Sequence, residues 1–160
     1  RPVVGVSLRG PRMDSSAGAW YPDHLRVAYG LDGPTWTREL VAHAGGELGG
    51  HPSEPDYSGL SALDPSTHNR IVVSTNVHPH TGVPLRSAAD GRVHFEVWEM
   101  NRRSDGSGQW AATALTRNST VDNVRPHIAV QGTTKILSWM RGRYSSPSDF
   151  HTGIVSRQAG

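Results

Sequence analysis

The chain has 160 residues, 35% of them apolar, with 18 glycines, 11 prolines and no cysteine. That balance argues against a helical bundle and excludes disulfides and thiolate metal sites. Sixteen basic and 14 acidic side chains leave a formal charge of +2, and no basic run tracks a phosphate backbone, so no nucleic-acid partner is expected. The apolar runs are only a few residues long, too short to span a membrane. Lys135 is the only lysine, and the arginines that dominate the basic set suit the bidentate holding of carboxylates or sulfates.

Short segments rich in β-branched residues, punctuated by Gly, Pro, Asn and Asp, predict strands throughout. In chain order they are Val3–Leu8, Leu25–Tyr29, Thr37–Ala42, Gly59–Leu63 and Ile71–Thr75, then His94–Trp98, Ala111–Thr116, Arg125–Val130, Lys135–Met140 and His151–Ser156. No useful length carries helical periodicity. The expected class is all-β.

Two turns carry a pattern of their own. Leu31-Asp32-Gly33-Pro34-Thr35-Trp36 and Ser104-Asp105-Gly106-Ser107-Gly108-Gln109-Trp110 each join two predicted strands. Both look like degenerate Asp-box hairpins, of the form Ser-x-Asp-x-Gly-x-Thr-Trp. In such a turn the Asp caps backbone amides, a Gly takes positive φ, and the Trp plugs the space between sheets. With four strands per sheet, the ten strands count as about two and a half blades of a β-propeller of antiparallel sheets. A ring needs four to eight blades. The whole of 1–160 is therefore expected to be part of a single domain and a fragment of a longer chain. The remaining blades would come from the rest of that chain or from other subunits.

Several longer stretches are more specific. Tyr57-Ser-Gly-Leu-Ser-Ala-Leu-Asp-Pro65, Val73-Ser-Thr-Asn-Val-His-Pro-His-Thr-Gly-Val-Pro-Leu85 and Asp90-Gly-Arg-Val-His-Phe-Glu-Val-Trp98 resemble the BNR (Asp-box) repeat family of sialidase-like propellers. So do Asn118-Ser-Thr-Val-Asp-Asn-Val-Arg-Pro126 and Leu137-Ser-Trp-Met-Arg-Gly-Arg-Tyr144, and the likeness spans roughly Asp56 to Ser156. The resemblance implies a propeller, and a carbohydrate-active protein such as a neuraminidase or a lyase of uronate-containing polysaccharides. It implies an acidic polysaccharide or oligosaccharide as partner, and a secreted or periplasmic bacterial setting. No cofactor is expected.

Sorting the predicted loops by propeller rim gathers the chemistry at one end. The loop 43–58 brings His43, Glu47, His51, Glu54 and Asp56, and 118–124 leads into Arg125 and His127. The other loops at that rim bring Asn76, His78 and His80, then Arg141, Arg143, Tyr144 and Asp149. Polar, titratable and aromatic groups converging on one surface mark a binding site. Arg125, Arg141 and Arg143, with Asn76 and Asn123, are the expected binders of a substrate carboxylate. For a lyase, His78 or His127 would be the base and Tyr144 the acid. Hydrolysis of a sialoside would instead use Tyr144 as nucleophile, with Glu47 or Glu54 and Asp122.

Plainer roles stand beside these. His78 and His80 are equally two loop histidines; their i, i+2 spacing suits a metal, but no third ligand is placed, so no metal is assigned. The 118–123 segment is equally a turn held by side-chain-to-backbone bonds. Trp98, Trp110 and Trp139 are expected in packing, and Trp20 with Tyr21 would form a sugar-stacking platform. The alternatives to an enzyme are a non-catalytic glycan-binding propeller and a scaffold.

Overall fold

The computed structural model describes residues 3–8, 13–14, 19–20, 24–30, 36–43, 61–146 and 148–159, with side chains described for 39–43, 61–144 and 148–159. These residues contain twelve strands, all paired antiparallel, and no helix occurs among them. None is therefore long and apolar enough to cross a membrane. The all-β class is as expected.

The first sheet holds β1 (Val3–Leu8), β4 (His24–Gly30) and β5 (Trp36–His43), in the order β1-β4-β5. A two-residue ribbon, β2 (Met13–Asp14) with β3 (Ala19–Trp20), lies between β1 and β4 in the chain and has no counterpart in the sequence expectation. The second sheet is a four-stranded meander of β6 (Ser61–Leu63), β7 (Arg70–Thr75), β8 (Glu96–Arg102) and β9 (Trp110–Ala114). The third is β10 (Asp122–Gln131), β11 (Thr134–Ser146) and β12 (Asp149–Ala159), also a meander.

The second sheet is covered on both sides. All six residues of β7 are buried, as a run of β-branched residues must be when both faces are packed. Ile71 and Val73 join Val41 and Ala42 of β5, together with Met100 and Trp110. Val72 and Val97, on the other face, join Ile128, Leu137 and Trp139 of the third sheet.

Paired charges tie the sheets together at their margins. The Arg102 guanidinium grips Glu39 of β5 at both carboxylate oxygens, at 2.6 and 2.9 Å, and the indole N–H of Trp110 donates to the same carboxylate at 3.2 Å. Asp64, just after β6, accepts from Ser66 and from Lys135 of β11 at 3.0 Å. The single lysine is thus an inter-sheet link.

The second Asp-Gly turn is built as its sequence predicts. Asp105 accepts the Ser107 amide at 3.0 Å, Gly106 and Gly108 take φ of 77° and 69°, and Trp110 is buried. The Ser107 hydroxyl and amide hold the Asp105 carboxyl below the usual carboxylate range. The first such turn, with Asp32 and the Trp36 side chain, lies outside the described residues, as do Glu47, His51, Glu54, Asp56 and Tyr21 and the side chain of Trp20.

Two boundaries differ in ways that matter for the site. β11 runs through Arg141, Gly142, Arg143 and Tyr144, where a loop was expected, because pairing with β12 continues to Tyr144↔Phe150 and Ser146↔Asp149. Gly142, at φ 152°, makes this possible: a Cβ there would collide with the backbone oxygen of His151. β10 begins at Asp122, so Asn123 also lies in a strand. Pro126, which cannot donate to the ladder, sits where the register shifts between Val124 and His127.

Replacing Trp110 with Ala should cost about 3–5 kcal/mol in denaturant unfolding, the usual loss for a buried large aromatic. Hydrogen bonds from Ser66 and Lys135 outweigh the opposing effect of burial and leave the Asp64 carboxyl below its ordinary value of 3.8. Its folded pKa is therefore below its unfolded one. The stability it adds is complete above the ordinary value and is lost as pH falls through the lowered one. Acid titration of stability should show this loss in the parent chain and not in Asp64→Asn.

Candidate functional site

Bulging β10 between Val124 and His127 forces Arg125 to φ 53°, a left-handed conformation uncommon for a residue with a Cβ. The exposed guanidinium then lies over the Tyr144 ring, 5.1 Å from its centroid, and donates to the phenol oxygen at 3.3 Å. Tyr144 in turn stacks on Phe150 of β12, with centroids 6.2 Å apart and planes 23° from parallel. Phe150 is 52% exposed. A cation, a phenol and a bare phenyl ring thus form one open platform, held by a strained backbone.

The other expected ligand-holding residues separate. Strand alternation along the unbroken β11–β12 register sets Arg141 and Arg143 on the same side as Leu137 and Trp139, opposite Met140 and Tyr144. The expected three-arginine clamp is therefore split: Arg125 joins Tyr144, and Arg141 and Arg143 point to the other side of β11. His127 pairs with Ser138, six residues before Tyr144. At ~3.3 Å per residue the two are ~20 Å apart along the sheet, too far to act as base and acid on one sugar ring.

Asn123 is not a surface ligand. It is 1% exposed, and its amide group donates to Ser119 Oγ at 2.9 Å while its oxygen accepts the Trp139 indole N–H at 3.0 Å. The same amide reaches Glu96, whose carboxylate accepts both the amide and the hydroxyl of Ser119. Asn118, at φ 50°, accepts the Ala88 amide, and Asp122 accepts that of Phe95. The 118–123 segment is held by side-chain-to-backbone bonds, the plainer of its two sequence roles.

The long β7–β8 connection folds back on itself through the bridges Val77↔Pro84 and Arg86↔Val93. Asn76 stands at its base, its carbonyl accepting the Leu85 amide at 2.8 Å. His78 presents its ring edge to Trp98, with centroids 5.6 Å apart, and its Nδ1 accepts the His80 amide. Pro79 is buried beside β5, its carbonyl accepting from His43. His80 consequently lines a hollow with Arg103, Gly108 and Trp110, next to the Asp-Gly turn. This loop thus reaches the Asp-Gly turn, anchored by the buried Pro79.

Burial, then the neighbouring His78, Arg103 and His43, push the His80 imidazole below its ordinary pKa. No cluster of three or more His, Asp or Glu able to hold a metal occurs among the described residues. Sequence reasoning missed Phe150 and Glu96. Phe150 fell just outside the strand expected from His151, and Glu96 gives no local sign of its burial.

Set beside known proteins, the chain matches no protein-family profile, no curated protein and no solved structure.

Relief of the left-handed strain gives a direct check on the platform. Arg125→Gly should be more stable than Arg125→Ala by about 1 kcal/mol, since only the alanine keeps a Cβ at positive φ. Equal stabilities in thermal unfolding would contradict the bulge geometry.

Proposed function

We propose that this chain is part of a sialidase-like β-propeller that acts on an acidic, uronate- or sialate-containing glycan. The three sheets are then successive blades, the second complete and the flanking two lacking one strand each. Three-, four- and three-stranded sheets in chain order support this, as does the interleaving of apolar residues between them. Ile136 and Ile154 of the third sheet are exposed, as a further blade packed there would require.

The observation that carries the functional proposal is the Arg125–Tyr144–Phe150 platform. Strain in a non-glycine residue survives only where the surroundings impose it, and such residues concentrate at ligand sites. Aromatic faces accept the apolar face of a sugar ring, and a guanidinium pairs with its carboxylate. Recognition of an acidic glycan uses both at once.

For a lyase step, with His127 carried away from Tyr144, His78 remains the candidate base and Tyr144 the candidate acid. The rival is a glycan-binding protein without catalysis.

Arg125→Ala should weaken binding of a polyuronate by ~1.5–3 kcal/mol, the worth of a charge-assisted hydrogen bond, and should barely alter binding of a neutral glucan. Calorimetric titration of both glycans reads this, and equal losses would defeat the carboxylate role. Incubating the polyuronate with the chain distinguishes the chemistries. Absorbance from an unsaturated uronate marks a lyase, new saturated reducing ends mark a hydrolase, and neither marks a binder.

A further inference from the structure

A cavity of about 410 Å³ opens between residues 84–87, the start of β8 and the turn 116–118. None of the residues expected to hold ligand lines it. Glu96 and Trp98, on one face of β8, form its wall, and the exposed Arg86 and Arg117 stand in its lining.

Glu96 is 5% exposed, yet no cation lies within ion-pair distance of it among the described residues. One carboxylate oxygen accepts the Ser119 amide at 2.8 Å, and the other accepts the Ser119 hydroxyl at 2.9 Å and the Asn123 amide at 3.4 Å. A carboxylate has about four lone-pair sites, so accepting capacity remains at the cavity wall. Buried carboxylates without a cation are costly, and this one is held by three hydrogen bonds alone. Arg117 makes no ion pair or hydrogen bond among the described residues, so its five N–H donors are available.

The cavity is also held in shape. The Val97 amide donates to the Thr116 hydroxyl at 2.8 Å, Ser119 is fixed to Glu96, and Asn118 ties the 116–118 turn to the opposite loop through Ala88. A site built this way loses little entropy on binding.

We infer that this cavity is a second ligand site, for a hydroxylated carboxylic acid the size of one sugar residue. The Trp98 indole packs the apolar face of the ring, Glu96 accepts one of its hydroxyl hydrogens, and Arg117 pairs with its carboxylate, joined by Arg86, whose guanidinium also donates to the Gly91 carbonyl. The inference leans on the acidic-glycan proposal only for the choice of sugar acids; the cavity does not include the Arg125–Tyr144 platform.

The test is titration of the chain with glucuronate, glucose and acetate, following the Trp98 indole N–H resonance assigned through Trp98→Phe. Glucuronate should shift it saturably, and glucose and acetate should bind at least tenfold more weakly. Arg117→Ala, a change at an exposed position, should weaken glucuronate tenfold or more, and the near-isosteric Glu96→Gln should also weaken it. Arg125→Ala should leave this resonance unaffected. No saturable shift, or an affinity indifferent to Arg117→Ala, overturns the inference. A shift lost equally in Arg125→Ala also overturns it, by assigning the ligand to the platform. A saturable Trp98 shift from a chain that fails to bind polyuronate supports the cavity and defeats only the platform.

Discussion

One buried amide ties β7, the entry to β8, the 118–121 turn and β11 together. Asn123 donates to Ser119, receives the Trp139 indole, and lends its backbone carbonyl to the Ser74 hydroxyl at 2.6 Å and its own N–H to Phe95. A side chain with two donors and one acceptor is the only kind that can satisfy a hydroxyl, a carboxylate and an indole from one buried point. Breaking it would leave Trp139, Ser119 and Glu96 each short of a partner in a low-dielectric interior, where unmade bonds are costly.

Both candidate ligand regions are connected to this point. Ser119 and Glu96 lead to the cavity beside Trp98. The chain passes into the bulge at Arg125 only two residues later. Fixing Asn123 determines where β10 leaves its regular register, and the bulge then absorbs Pro126 and lifts Arg125 over Tyr144. Local strain at 125 is tolerated because well-bonded residues on either side impose it.

Away from this end, alignment of the sheets depends on charges in pairs. Arg102 meets Glu39, and Lys135 meets Asp64, each across a sheet boundary. Such pairs contribute little net stability once desolvation is counted, but a displaced partner leaves a part-buried charge alone. They therefore act against slippage of one sheet along another, while the apolar layers supply most of the burial energy.

Local physics made much of the fold legible in the sequence. Alternation and β-branched runs located ten of the twelve described strands, with β8 and β11 running four and six residues past their expected ends, and the Asp-Gly-Ser-Gly turn before Trp110 formed as its residues require. These are short-range matters of φ preference and side-chain reach. The site was only partly legible. Arg125 and Tyr144 were singled out and do meet, but whether Arg141 and Arg143 joined them depended on strand parity, and parity depended on where pairing with β12 ended. The same long-range pairing carried His127 away from Tyr144, and the packing of Pro79 drew His80 toward the Asp-Gly turn. Burial of Glu96 and Asn123 likewise follows from contacts between segments more than twenty residues apart. The sequence by itself determined the strands and turns, because their preferences are local. Only the tertiary structure decided which polar groups share a surface, because a one-residue change in register moves a side chain to the opposite face.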